Sequence, residues 1–396
     1  MVGQCQSSRA GGMTAPATPA SAAVCLLGRI QGLTYTAASI GDNLLRPLAA
    51  DLFVYVPVAF LREASAAEMR ELLALPGLVE LVAEEENVTE RLWQEMKPFV
   101  TGWTPAQVLE WTSQVNGNWF GGFRDKDGRT RHGSGLMQMY SWHRCLHSVE
   151  SREKAGLAKY DWIVQSRFDL FWEMPHLPLS LFSQDAVWIP DGQDYGGYND
   201  RHALIPRKQG LAGLPSASEL YLDGWRFVAE GKAALVLHEA FQNLTNCKKH
   251  EDDPVDSETA PPCLNSEAWL YLRLRALDTR VSRYPSLSWV TCAGNVSARE
   301  ERSGTQPFLE ECASRGTPFR YAEEHRDTVQ VVSCLQAAEV DGACGSSEPA
   351  LEQLCDRIRQ CWCDDVALAD AAEEADEGTF DSDRYRDAFA LCRHCG

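Results

Sequence analysis

Ala23 to Leu27 is an apolar run closed by Gly28, Asp51 to Phe60 is a second, and Thr34 to Leu48 between them reads as a helix stopped at Pro47. Strand, helix and strand in that order leave few options: the crossover is right-handed and the two strands are parallel members of one sheet. Strands of a parallel sheet are covered on both faces and so read as near-continuous apolar runs, as these do. Pro57 lacks a ladder donor, which weakens the second strand near its end. The expected fold class is α/β, a mostly parallel central sheet flanked by helices.

The rest of the chain extends that pattern. Residues 1–22 are Ala, Ser, Thr, Gly and Pro with few apolar side chains, the composition of a flexible leader. Helices are expected over Ser65 to Leu75, Val88 to Phe99 and Pro105 to Val115, with a strand over Leu78 to Val82. The stretch Asn116 to Gly135 is rich in glycine and basic residues and long for a connection, so it is functional or flexible. From Leu136 to Lys154, Leu136, Met139, Trp142, Leu146 and Val149 recur every three or four residues, which predicts an amphipathic helix on the sheet. His143 and His147 then face outward or along its seam. Further helices are expected over Glu219 to Ala229, Ala233 to Leu244 and Glu267 to Leu277, the last capped by Ser266. Arg280 to Cys292 alternates and closes the sheet.

The most informative stretch is Tyr160 to Arg207. In YDWIVQSRFDLFW, Trp162, Val164, Phe168, Leu170 and Trp172 share one face at period two, while Arg167 and Asp169 share the other, roughly 7 Å apart. Charge in such a strand costs several kcal/mol unless it is paired or bound to a ligand, and open α/β sheets place ligands at the C-terminal ends of their strands. IPDGQDYGGYNDR then forms a glycine-punctuated loop dense in carboxylates, amides and aromatics.

YDWIVQSRFD followed by IPDGQDYGGYNDR resembles a little-characterised group of eukaryotic glycosyltransferase-like proteins. Weaker matches extend back to Val24 through Gly28 and Pro47 through Tyr55, and forward to Ser266 through Leu270. The resemblance implies the type A glycosyltransferase fold and a nucleotide-diphosphate sugar as donor, with a glycan or protein as acceptor. It also implies Mn²⁺ or Mg²⁺ on an acidic motif that ends a central strand. Here Asp169 is that metal ligand. Arg167 stands where the first carboxylate of Asp-x-Asp is expected, a departure that puts the metal in question.

In that reading Arg29, in the loop after the first strand, meets the diphosphate or is a solvated loop arginine. Arg167 or Arg201 forks onto phosphate oxygens. Gly196 and Gly197 let backbone approach the ligand. Tyr195, Tyr198 and Trp172 are flat faces for a sugar, and Asp194, Asn199 and Asp200 hydrogen-bond hydroxyls. Asp200 and Glu267 are rival catalytic bases, of which an inverting enzyme needs one. The structural alternative pairs Arg167 with Asp200, or Asp169 with Arg201, to tie loop to strand.

Charge and cysteine content bound the partners and the compartment. The net charge of −19 argues against nucleic acid and anionic membrane. From Tyr321 to Gly396 there are 18 acidic and 6 basic residues, so −12 sits in the tail and −7 in the rest. Fourteen cysteines, seven of them from Cys334 onward, point to disulfides and an oxidising compartment, the Golgi lumen or secretory pathway. Sequons at Asn87, Asn243 and Asn295 agree. No apolar run is long enough for a membrane span and no signal peptide is evident, so membrane attachment is expected only through a native anchor absent from this chain. Residues 23–320 are expected to form the α/β domain. Residues 321–396 form a small acidic appendage, stapled by cysteines, with helices over Pro349 to Gln360 and Arg384 to Cys392. Two other functions stay open: a non-catalytic carbohydrate-binding pseudoenzyme, or a cysteine-rich extracellular interaction protein.

Overall fold

The computed structural model describes residues 21–28, 30, 32–84, 135–194, 197–207, 266–267, 270–271, 274, 279–292 and 319–339. Its core is a seven-stranded sheet of order β3-β2-β1-β4-β7-β6-β8. The strands are β1 (Ala22–Leu27), β2 (Asp51–Pro57), β3 (Leu78–Glu84), β4 (Trp162–Arg167), β6 (Val187–Pro190), β7 (Ala203–Pro206) and β8 (Val281–Tyr284). β7 runs antiparallel to β4 and β6; every other pairing in the sheet is parallel. The expected mostly parallel α/β sheet is the observed one, with β4 in the middle.

Period-two alternation sends the residues of β1 to two different helical layers. Ala22, Val24 and Leu26 join Leu52, Val54, Trp162 and Val164 in one buried cluster with Leu33, Ala37, Ile40 and Leu44. Those last four lie on one helical run: α1 (Leu33–Ser39), a π-helical segment (Ile40–Leu45) and α2 (Arg46–Leu48). Cys25 points to the other face and is bonded to Cys145 of α5 (Gly135–Lys154), across a sequence separation of 120. Trp142, Leu146 and Val149 of α5 are buried, as their spacing predicts. His143 is buried too, at 7% exposed, against the expectation of a surface position, because the apolar stripe is wide enough to take it in. Each large apolar side chain so buried contributes roughly 1.5–3 kcal/mol.

Three segments differ from expectation. The second apolar run stops being a strand at Pro57, and Val58–Glu63 turns into a short helix, α3. A capping box then starts α4 (Ala66–Ala74): Ser65 Oγ accepts from Glu68 N, and the Glu68 carboxylate accepts from Ser65 N. Tyr160 to Trp172 is not one strand. β4 ends at Arg167, the chain turns at Phe168 and Asp169, and β5 (Leu170–Trp172) leaves the main sheet to pair antiparallel with β9 (Ser288–Val290). Arg280 to Cys292 is divided likewise, its first half becoming β8 and its second β9. The apolar alternation persists through both breaks because Phe168, Leu170 and Trp172 remain buried on either side of the turn.

The turn into β3 shows one glycine that nothing else can replace. Gly77 has φ +73°, an ideal Cβ there would lie 2.2 Å from the Ala50 carbonyl oxygen, and its own carbonyl accepts from Leu52 N at 2.6 Å. Behind β9 lies α6 (Ala322–Glu339), whose Val331, Val332 and Leu335 enter the same buried cluster as the body. The expected leader ends sooner than residue 22, since Ser21 bonds to Asp161 and Ala22 opens β1; residues 1–20, the helices over 88–115 and 219–244, the 116–134 loop, the three sequons and the two tail helices lie outside the described residues. Among the described residues, no helix is long and apolar enough to cross a membrane.

Candidate functional site

Strand direction places the candidate residues. β1, β4, β6 and β8 all end at one edge of the sheet, and β7, running the other way, begins there. Arg167 and Asp169 close β4 at that edge, Asp191 to Asp194 follow β6, and Asn199 to His202 lead into β7. The two halves of the stretch singled out by sequence therefore lie on neighbouring strands at one edge.

Arg167 and Asp169 are bound to each other. Nε donates to Asp169 Oδ1 at 2.8 Å and an Nη to Oδ2 at 2.6 Å, a two-point fork within one turn of chain. Both side chains remain about a quarter accessible, at 22% and 23%. Burial pushes the Asp169 carboxyl up, but the charge of Arg167, with that of Arg201 and Arg320, outweighs it and leaves the group below its ordinary value. Arg167 is held above its already high value against the opposing effect of burial, chiefly by Asp169 and then by Asp200. The backbone here is pinned as well: Thr36 Oγ1 donates to the Phe168 carbonyl at 2.7 Å, and Thr291 N to that of Asp169 at 2.8 Å.

The loop is folded around its own side chains. Asp194 Oδ1 accepts from Asn199 N, Asn199 Nδ2 donates to the Gly192 carbonyl, and Asn199 Oδ1 accepts from Arg201 N. Arg283 of β8 donates to Asp194 Oδ2 at 2.8 Å and lies over the Tyr198 ring at 4.8 Å. Asn199, Asp200 and Arg201 are buried. Arg201 pairs with Glu324 of α6 and lies over the Tyr321 ring at 5.0 Å. Asp200 Oδ2 accepts from the side-chain amide of Gln138 on α5 at 2.9 Å.

Glu267 stands beside Asp200. Burial, then the charge of Asp200, pushes its carboxyl up to about 8. Its carbonyl accepts from Tyr198 N at 3.0 Å, and Tyr198 lies against Tyr271. The arrangement thus holds two carboxylates, one of them kept protonated at neutral pH, beside guanidinium groups. Such a set can bind a polyoxygenated anion and exchange a proton with it.

Set beside the expectations, Asp169, Gly197, Asn199, Asp200, Arg201 and Arg167 belong to one edge, with Glu267 adjoining Asp200. Arg29, Tyr195 and Gly196 lie outside the described residues. The ion pairs differ from both weighed: Arg167 takes Asp169 and Arg201 takes Glu324, because the turn after Arg167 swings Asp169 onto its guanidinium. Trp172, expected as a sugar face, is 1% exposed and belongs to the core. Sequence reasoning missed Gln138, Arg283, Arg320, Tyr321 and Glu324. Arg283 could have been found as the charged residue inside an apolar alternation; the others carry no such sign.

A family model described as a domain of unknown function (DUF7796) matches residues 130–220, which hold α5 and β4 through β7. No curated protein matches. Among solved structures, the crystal structure of mouse xyloside xylosyltransferase 1 in its apo form is similar, at 11% identity and a TM-score of 0.32, over 67% of this chain and 84% of that chain.

Proposed function

We propose that the chain is a glycosyltransferase that moves a sugar from a nucleotide-diphosphate sugar to a glycan or protein acceptor. One observation carries the reading: Arg167 with Asp169, the Asp194 to Arg201 loop, and Glu267 beside Asp200 converge at the C-terminal edge of a mostly parallel sheet. The resemblance of those same stretches to glycosyltransferase-like proteins supports it. In the reaction the bond from the anomeric carbon to the diphosphate breaks and a bond to an acceptor oxygen forms. The acceptor's proton passes to a carboxylate, and the diphosphate leaves with the electron pair. Guanidinium groups at this edge, Arg167, Arg201 and Arg320, offset its charge. The proton goes to Asp200 or Glu267, of which burial and the charge of Asp200 raise Glu267 to about 8.

The residues present do not fit the divalent cation that the resemblance implies. Both oxygens of Asp169 are taken by Arg167, a cation stands in place of a second carboxylate, and no three His, Cys, Asp or Glu side chains gather among the described residues. The charge of the leaving diphosphate then falls to the guanidinium groups. The closed fork also favours a second reading, a carbohydrate-binding pseudoenzyme without transfer. The Cys25–Cys145 bond, together with the disulfide that holds Cys292, supports a place in the secretory pathway.

The test is thermal shift with a panel of nucleotide sugars, in EDTA and in Mn²⁺, followed by release of the nucleoside diphosphate. The transferase reading expects a shift in EDTA and turnover with an acceptor. A shift without turnover on any acceptor supports the pseudoenzyme, and no shift with any donor refutes the donor site.

A further inference from the structure

Beyond the turn at Asp169 the chain carries a row of half-buried side chains. Asp169, Phe171 and Glu173 are partly accessible, while Phe168, Leu170, Trp172 and Met174 between them are buried. Phe171 lies in β5, with Glu173 two residues after it and Asp169 two residues before it in the turn, so the ring is flanked along the chain by two carboxylates. Phe171 is the cross-strand partner of Trp289, with ring centroids 5.1 Å apart in a stacked arrangement. Tyr35, from the first turn of α1, lies on Phe171 with centroids 5.3 Å apart and is 45% exposed. Trp289 is in turn wedged by His325 at 5.1 Å and is itself 2% exposed.

The stack is held by hydrogen bonds on both sides and lies close to the site. Thr36, next to Tyr35, is bonded to the carbonyl of Phe168, and the loop before α1 is held by Gly32 N donating to Glu68 Oε1 at 2.7 Å. Glu173 Oε1 accepts the indole N–H of Trp289 at 2.6 Å, which aims that carboxylate along the stack. Burial and then the charge of Glu173 push the Tyr35 hydroxyl up, which puts that charge within reach of the exposed ring.

We propose that Tyr35, Phe171 and Glu173 form a subsite for a pyranose ring of the acceptor. A pyranose has a face of C–H bonds that lies on an aromatic ring and equatorial hydroxyls that donate to a carboxylate at its rim. Both complements are present here, and the row leads from Glu173 back to Asp169. A protein partner would need a patch on the order of 800 Å², and one half-exposed ring is far smaller. The proposal names the acceptor of the transferase reading and rests on it, but it can be tested apart from it.

The test uses the full chain, a panel of methyl pyranosides followed by saturation-transfer NMR, and UDP and GDP as separate probes. Tyr35→Ala is expected to weaken the best pyranoside about 3- to 10-fold. Tyr35→Phe should stay within about twofold, since it keeps the ring. Glu173→Gln should weaken the same pyranoside, and none of the three should change nucleoside diphosphate affinity. Unchanged pyranoside binding in Tyr35→Ala overturns the subsite, and so does a wild type that binds no pyranoside. Loss of UDP or GDP binding alone would also overturn it, showing that the ring reads a base. If Tyr35→Ala loses the pyranoside while the wild type binds neither UDP nor GDP, the subsite stands and the transferase reading falls.

Discussion

Arg201 and Glu324 lie 123 residues apart in the chain and meet as an ion pair whose side chains are 7% and 5% exposed. The pair joins the loop before β7 to the first turn of α6. Removing one partner strands the other charge in the interior, so Glu324→Ala is expected to cost about 3–5 kcal/mol. Replacing both residues by Met should cost much less. Urea denaturation of the two variants checks this; equal losses would show that the pair itself, and not the orphaned charge, sets the stability.

The Arg167–Asp169 fork is more accessible, and its disruption should cost less. Asp169→Asn is expected to lower stability by about 1–2 kcal/mol, between the values for surface and buried pairs. If Arg167 meets the diphosphate, Arg167→Gln should abolish the thermal shift given by a nucleotide sugar, whereas Asp169→Asn should retain it. Retention of the shift in Arg167→Gln would refute that role.

Two buried histidines set the acid limb of stability. His176 and His202 are 3% and 1% exposed with ring centroids 5.5 Å apart. His176 Nδ1 donates to the Leu177 carbonyl at 2.7 Å, yet burial still lowers its pKa to about 4. Burial, then the neighbouring His176, lowers that of His202. Between pH 6.5 and 4 the unfolded chain takes up protons that the native state refuses, so stability falls as pH falls. For His176 alone the loss is about 3 kcal/mol by pH 4.

Glu267 acts in the opposite direction. Its native pKa of about 8 lies above the unfolded value of 4.5, so its contribution is fully present below pH 4.5 and is lost as pH rises to 8. The two effects oppose each other from pH 4.5 to 6.5, where the two histidines outweigh the single carboxyl, so stability should be highest near pH 6.5. Denaturant midpoints across pH 4 to 9 test both limbs: His176→Phe should flatten the acid one and Glu267→Gln the alkaline one.

The Cys25–Cys145 bond closes a long loop between β1 and α5. Cys145→Ser is expected to cost about 2–5 kcal/mol, most of it through the freed unfolded chain. The measurement is the denaturant midpoint of oxidised protein against the variant. An unchanged midpoint would show that the cross-link adds nothing to the packing of Trp142, Leu146 and Val149.

The parallel core was legible because strands buried on both faces write themselves as unbroken apolar runs, as Ala23 to Leu27 and Asp51 to Val56 do. The turn at Phe168 and Asp169 was not, since the buried side chains keep their alternation through it. β7 has only Ala203, Leu204, Ile205 and Pro206, too few to stand out from a charged loop. Arg167 and Asp169 could be singled out as charges in an apolar strand, but their mutual pairing depends on the turn. Glu324 and Gln138 reach the site from the polar sides of two helices, where a carboxylate or an amide is the ordinary surface residue.

The reversed strand has a mechanical meaning. β4 and β7 align over four residue pairs, whereas β7 and β6 align at Trp188 and Leu204 alone. Along the sheet the β6–β7 seam is thus the sparsest backbone joint, and Asn199 reinforces it by bonding to Asp194 and to the Gly192 carbonyl. Asp194 follows β6 and Asp200 precedes β7, so the two carboxylates stand on opposite sides of that seam. Opening that seam would part these two carboxylates and break the Asn199 bonds that cross it. Amide exchange should reveal it as faster exchange at the β6 and β7 junction than at β1, and a bound substrate would act as a clasp across the seam.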